Sequence, residues 1–161
     1  MMKAIEIAKL KMSENEYPFG CCIVYKDTCI VESNTCFTSG NPLDHAEMKA
    51  ISQLVKIYGY DVLKKSVLYA TTEPCLMCFG ALNWAHIPRL VYGTSVLESS
   101  QLGFDEMVVS IEELKSKMSY SLEVKGGVLY EECKELLLEW DKRNKLIRRL
   151  FKREGEVLDE N

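Results

Sequence analysis

Apolar positions along the chain change period several times, and each change predicts an element. Met1, Ala4, Ile5, Ala8 and Met12 recur at helical spacing, so residues 2–14 predict an amphipathic helix. Pro18 and Gly20 punctuate the stretch that follows. Cys21 to Tyr25 is an apolar run of strand length. Lys26-Asp27 turns it and Thr28 to Glu32 returns, which predicts a hairpin. Residues 33–44 are polar, contain Gly40-Asn41-Pro42 and read as a loop. Ala46, Ala50, Ile51, Leu54 and Val55 mark the apolar face of a helix over 43–58, closed by Gly59.

Ser66 to Thr71 is rich in branched and aromatic residues and predicts a buried strand. A helix is expected from the Pro74 region to Ala85, and Pro88 bounds the exit into a strand over 90–93. A loop over 95–106, a short helix over 112–118 and a strand over 120–125 follow, the last stopped by Gly126-Gly127. Apolar residues at 133, 136, 137, 140, 147 and 150 predict one long helix over 130–153, with a polar tail at 154–161. Alternating strands and helices imply an α/β fold with a mostly parallel central portion and helices packed on it.

Composition narrows the class. A chain of 161 residues, 47% hydrophobic, suits one domain, placed at 1–153. The net charge of −4 provides no global basic field to draw in nucleic acid. No run of eighteen apolar residues and no signal-peptide core occur, so a cytoplasmic protein with no membrane partner is expected. Seven cysteines is an odd number for a disulfide framework, so reduced thiols are expected. Cys21, Cys22, Cys29, Cys36 and Cys133 lack metal spacing and read as small buried hydrophobes. Residues 142–153 carry seven basic side chains and no acid. They read as a solvated helix face that complements the helix C-terminus, the functional alternative being an RNA-contacting tail.

The chemistry concentrates in two places. His45-Ala46-Glu47 is followed thirty residues later by Pro74-Cys75-Leu76-Met77-Cys78. Cys75 and Cys78 would share one face at a helix start, where free N–H groups favour the thiolates that zinc requires. With His45 they supply three ligands and leave one tetrahedral position open, as catalytic zinc sites do. Cys21, Cys22 or His86 could close that position in a structural site. Glu47 argues for the catalytic alternative, because a hydrolytic zinc needs a neighbouring group to move protons. The pattern H-x-E with P-C-x-x-C is the signature of zinc nucleobase deaminases.

These motifs resemble the cytidine deaminase-like superfamily. Pro18-Phe19-Gly20, Asn34, Asn41-Pro42 and EPCLMCFGALNWA are similar to the branch that holds bacterial guanine deaminases and tRNA adenosine deaminases, and Gly103-Phe104-Asp105 resembles the guanine deaminases. The resemblance covers about residues 1–140. It implies a three-layer α/β/α sandwich around a five-stranded mixed sheet, one Zn2+ per subunit and a homodimer. It implies His45, Cys75 and Cys78 as zinc ligands and Glu47 as the catalytic proton shuttle. Asn34, Phe19, Trp84, Asp105 and Ala46 are implied as substrate contacts. The implied activity is hydrolytic deamination of a purine base, guanine to xanthine. Deamination of a tRNA wobble adenosine is the alternative, followed by a cytosine or nucleoside deaminase and a non-catalytic zinc module. The chain departs from guanine deaminases at Leu76, often proline there, and at Ala85-His86, often Ala-Arg. Its tail, Leu-Asp-Glu-Asn, lacks the aromatic residue that can cover a swapped partner's site.

Overall fold

The computed structural model describes residues 1–104 and 106–153, with side chains up to Lys145. One five-stranded sheet organises them, in the order β2-β1-β3-β4-β5. Strands β1 (Gly20–Tyr25) and β2 (Thr28–Ser33) form the expected hairpin, and β1 also pairs antiparallel with β3 (Val67–Thr72). Strands β4 (Arg89–Thr94) and β5 (Glu123–Lys125) then add in parallel. The sheet is therefore mixed, with its parallel half on the side of β3, β4 and β5.

Helices cover both faces. Helix α1 (Met2–Ser13) and the terminal helix α7 (Tyr130–Arg153) lie on one face, where Ile5, Ala8, Cys133 and Leu136 form a small core. Gly20 lets α1 approach, since a Cβ there would strike the Ala4 carbonyl. On the other face, α3 (Ala46–Tyr58) and α4 (Leu76–Ala85) pack Ala50, Leu54, Phe79 and Leu82 on Ile23, Leu68 and Leu90. Ala50 and Leu54 lie on the apolar face that spacing marks in the sequence, and Ile23, Leu68 and Leu90 lie in the expected strands. The result is the three-layer α/β/α sandwich. Among the described residues no helix is long and apolar enough to cross a membrane.

Several local expectations are corrected. The loop after β2 contains a helical turn, α2 (Cys36–Ser39), and residues 60–65 form a 3-10 helix. The segment after β4 is not all loop. It begins with α5 (Val96–Gln101), capped by a reciprocal Ser95–Glu98 box, and leads to α6 (Ile111–Lys115), capped by Ser110. Strand β5 is three residues long, shorter than expected. The cysteines are not all free: Cys22 and Cys29 are joined as a disulfide across the hairpin, with Cα atoms 6.4 Å apart. The other five are unpaired thiols.

Candidate metal centre and pocket

The site forms where α3 and α4 begin. Both helices start later than their apolar pattern suggested, because His45 and Cys75 are N-cap residues with extended backbones (ψ 150° and 168°). An N-cap side chain stands off the helix start rather than on its flank. This removes the difficulty of a shared site for His45 and Glu47, two residues apart, which would diverge on a regular helix. His45 points back toward α4 while Glu47, in the first turn of α3, faces the same space from behind.

The donor atoms match zinc. His45 Nδ1 lies 3.6 Å from Cys75 Sγ and 3.5 Å from Cys78 Sγ. All three ligand atoms fall within 4.8 Å of one another. Bond lengths of about 2.05 Å to nitrogen and 2.3 Å to sulfur, at tetrahedral angles, require N–S separations of about 3.6 Å. The residues therefore fit a tetrahedral ion held on three corners. Among the described residues no other group of three or more His, Cys, Asp or Glu converges in this way.

The donor groups act on one another's charges. Hydrogen bonding from Cys78 and His45 pulls the Cys75 thiol down to about 4, against the opposing effect of burial. Cys78, beside that thiolate and buried, is pushed up. The Cys75 hydrogen bond raises His45. The pair thus shares one negative charge that a divalent cation would extend to two. Glu47 is 8% exposed, and burial, then the Cys75 charge, raises its pKa. Its Oε2 accepts from Cys78 Sγ at 3.4 Å.

A small cleft opens over the donors, lined by Phe19, Asn34, His45, Glu47, Cys75 and Glu106 among others. Asn34 is 2% exposed, and its Oδ1 accepts the Cys36 N–H at 3.0 Å. That bond fixes the amide orientation and leaves the NH2 without a bond to any described residue. Outward lies a wider groove open to solvent, bounded by Tyr17, Phe37, Phe104, Trp140 and Asn144, which shares Phe19, Asn34, His45 and Glu106 with the inner pocket. Its rings pack on one another: Trp140 stacks on Phe104 at 4.2 Å and Tyr17 on Phe37 at 4.5 Å between centroids.

His45, Cys75, Cys78, Glu47, Asn34 and Phe19 are thus brought together. Ala46 is buried at the start of α3, between His45 and Glu47, outside the lining of either pocket. Asp105 lies outside the described residues. Trp84 is a correction: it is 80% exposed on α4, lines neither pocket and offers only its carbonyl, to Tyr60 Oη and His86. The aromatic wall comes instead from Trp140, which the α7 pattern marked as a buried position without indicating a pocket. Glu106 was missed. It lines both spaces, and burial, followed by the Cys75 and Glu47 charges, pushes it up to about 7.

Comparison with known proteins places this geometry. Residues 1–94 match the family described as the cytidine and deoxycytidylate deaminase zinc-binding region. The chain is 35% identical over 145 residues to the tRNA-specific adenosine deaminase of Haemophilus influenzae, covering 85% of this chain and 78% of that protein. It is 37% identical over 93 residues to the guanine deaminase of Bacillus subtilis, covering 57% and 60%. It is 34% identical over 143 residues to the tRNA-specific adenosine deaminase subunit tad2 of Schizosaccharomyces pombe, 87% of this chain but only 36% of that protein's length. Among solved structures, a guanine deaminase from Nitrosomonas europaea superposes with a TM-score of 0.77 at 24% identity over 86% of this chain and 81% of that one, a likeness of fold.

Proposed function

The chain belongs to the cytidine and deoxycytidylate deaminase family of zinc-binding C–N hydrolases, and from that premise we propose that its substrate is a purine base, guanine. The reaction adds water across C2 and releases the amino group, so guanine and water become xanthine and ammonia. Residues 1–153 act as one deaminase unit in this reading, and the exposed Leu76 and Trp84 on α4 support a homodimer.

The observation that carries the reading is Glu106. A carboxylate in the pocket wall accepts hydrogen bonds, and guanine offers ring N–H donors. Adenine's ring nitrogens N1, N3 and N7 are acceptors, which a carboxylate opposes. The Asn34 amide complements this by donating to an acceptor on the base. Phe19 supplies a face for stacking.

Zinc held by His45, Cys75 and Cys78 would supply Lewis acidity and lower the pKa of water to about 7. The chain's own residues handle the protons. Glu47 takes one from water and delivers it to a ring nitrogen, and a second transfer releases ammonia from C2. Burial of the Glu47 side chain favours the neutral carboxyl that carries the proton between the steps.

A second reading, deamination of adenosine in tRNA, is favoured by the open outer groove, which continues from the inner pocket past Trp140 to Asn144, next to exposed Lys145. Ammonia release decides between the two. Zinc-loaded protein is assayed with guanine, guanosine, adenine, cytosine and an anticodon stem-loop RNA. Release from guanine that Glu47→Gln silences supports the proposal; release from the RNA alone overturns it.

A further inference from the structure

One buried carboxylate lies beside the metal centre without touching it. Glu73 is 5% exposed and sits between β3 and Cys75, two residues from the ligand. Its Oε2 accepts the Val96 N–H at 3.0 Å, and its Oε1 accepts the Ile111 N–H at 2.7 Å. Its own N–H donates to the Thr94 carbonyl at 2.8 Å. Val96 opens α5 and Ile111 opens α6, so both N–H groups lack partners within their helices. Both oxygens of one side chain therefore close the two ends of the segment between them. That segment carries Phe104 and Glu106 into the pocket.

We propose that Glu73 is a positioning residue that sets where Glu106 and Phe104 stand relative to the metal centre, and so governs base binding. The proposal rests on the base-deaminating reading of this pocket. The backbone from Glu73 to Cys75 runs through the buried Pro74, which leaves little slack between clamp and ligand. Phe104 is also held by ring packing on Trp140, Phe19 and Tyr17, whereas Glu106 has weaker support. Within the segment, Ser99 Oγ reaches Glu106 only at 3.5 Å, and Tyr130 Oη holds Glu98 near the start. The ends of the segment are also held by their own caps and by packing, Val96 being 2% exposed and Ile111 buried in the main core, so Glu73 sets their hydrogen-bond register against β3 rather than their burial.

Glu73→Gln keeps size and one acceptor but turns an N–H donor toward one of the two backbone N–H groups. Zinc content stays at one per chain. KM for guanine rises about tenfold, the scale of one charge-assisted hydrogen bond, while kcat changes by less than threefold because Glu47 is untouched. The effect is non-additive with Glu106→Gln: in that background Glu73→Gln adds little, as expected if it acts through Glu106. Val96→Pro tests the clamp from the other side. Beside Val96→Ala, which controls for the loss of the 2%-exposed side chain, it removes the donor at a first helical position that tolerates proline, after a residue already extended at ψ 159°. It reproduces the same KM and kcat pattern.

Amide hydrogen exchange makes the two failures distinguishable. Glu73→Gln speeds exchange across residues 96–111 and leaves α3 and α4 protected, whatever the substrate. If no base is turned over by the wild type but exchange changes in this way, the functional reading fails and the clamp stands. Unchanged exchange, additive double-variant effects, or a loss of kcat together with zinc overturns the positioning role.

Discussion

Replacing Glu47 by Gln separates chemistry from structure, because the two residues are nearly isosteric and only the proton-handling group is lost. General acid–base catalysis by one positioned group is worth roughly 10²–10⁴ in rate, or about 3–5 kcal/mol of barrier. Zinc-loaded Glu47→Gln is therefore expected to lose at least about a hundredfold in kcat with KM little changed. Stability moves the other way. Burial raises the Glu47 pKa in the folded chain. A carboxyl raised on folding weighs against the folded state as pH climbs above its unfolded value of about 4.3. Metal-free Glu47→Gln should then melt at or above the wild type at neutral pH, with the difference closing below about pH 4. Ammonia release, zinc analysis and thermal melts measure all three quantities. Turnover within a few-fold of wild type, with zinc bound, refutes the assignment. Loss of zinc from the variant would show that the carboxylate supports the ligand set instead.

Further expectations follow the same geometry. Chelating zinc abolishes ammonia release and lowers the melting temperature, and adding one equivalent back restores both. Glu106, pushed up to about 7 by burial, binds a proton more readily folded than unfolded. In the metal-free protein its contribution to stability is present below about pH 4.3 and is lost as pH rises to about 7. Melts of Glu106→Gln across that window should show a shallower decline than wild type. Gly20→Ala drives a Cβ into the Ala4 carbonyl, and it should destabilise by about 2 kcal/mol or more in urea titration through displacement of α1. Reducing the Cys22–Cys29 disulfide, with a sequence separation of seven, should cost up to about 2.5 kcal/mol of stability and leave zinc content unchanged.

What the sequence disclosed depended on how local each signal is. The zinc ligands and Glu47 lie in two short motifs whose residue types answer directly to metal and proton chemistry, and the structure gathers them at two helix caps. Most elements followed from apolar periods, since core faces obey them, while the three-layer arrangement and the mixed sheet came from the family resemblance. The aromatic wall carried no such signal: Tyr17, Phe37, Phe104 and Trp140 come from four separate segments and meet only through tertiary packing. Trp84 was assigned to the pocket through its place in a motif, yet the side chain faces away from the site. Helix α5 could have been read from Ser95-x-x-Glu98, a capping box present in the chain. Glu106 adjoins the Gly-Phe-Asp motif that drew attention to its neighbour.

A segment tied at both ends to a single side chain has fixed anchoring points, and its interior contacts run to the aromatic wall and α7 rather than to the metal ligands. Changes of length between Val96 and Ile111 leave the anchoring points where they are, and doubling a loop costs only about 0.6 kcal/mol in closure entropy. The metal-bearing half of the molecule need not respond. The stretch can therefore be exchanged as a cassette, lengthened or rewritten by evolution or by an engineer, to admit a different base while the hydrolytic apparatus beneath it is inherited unaltered.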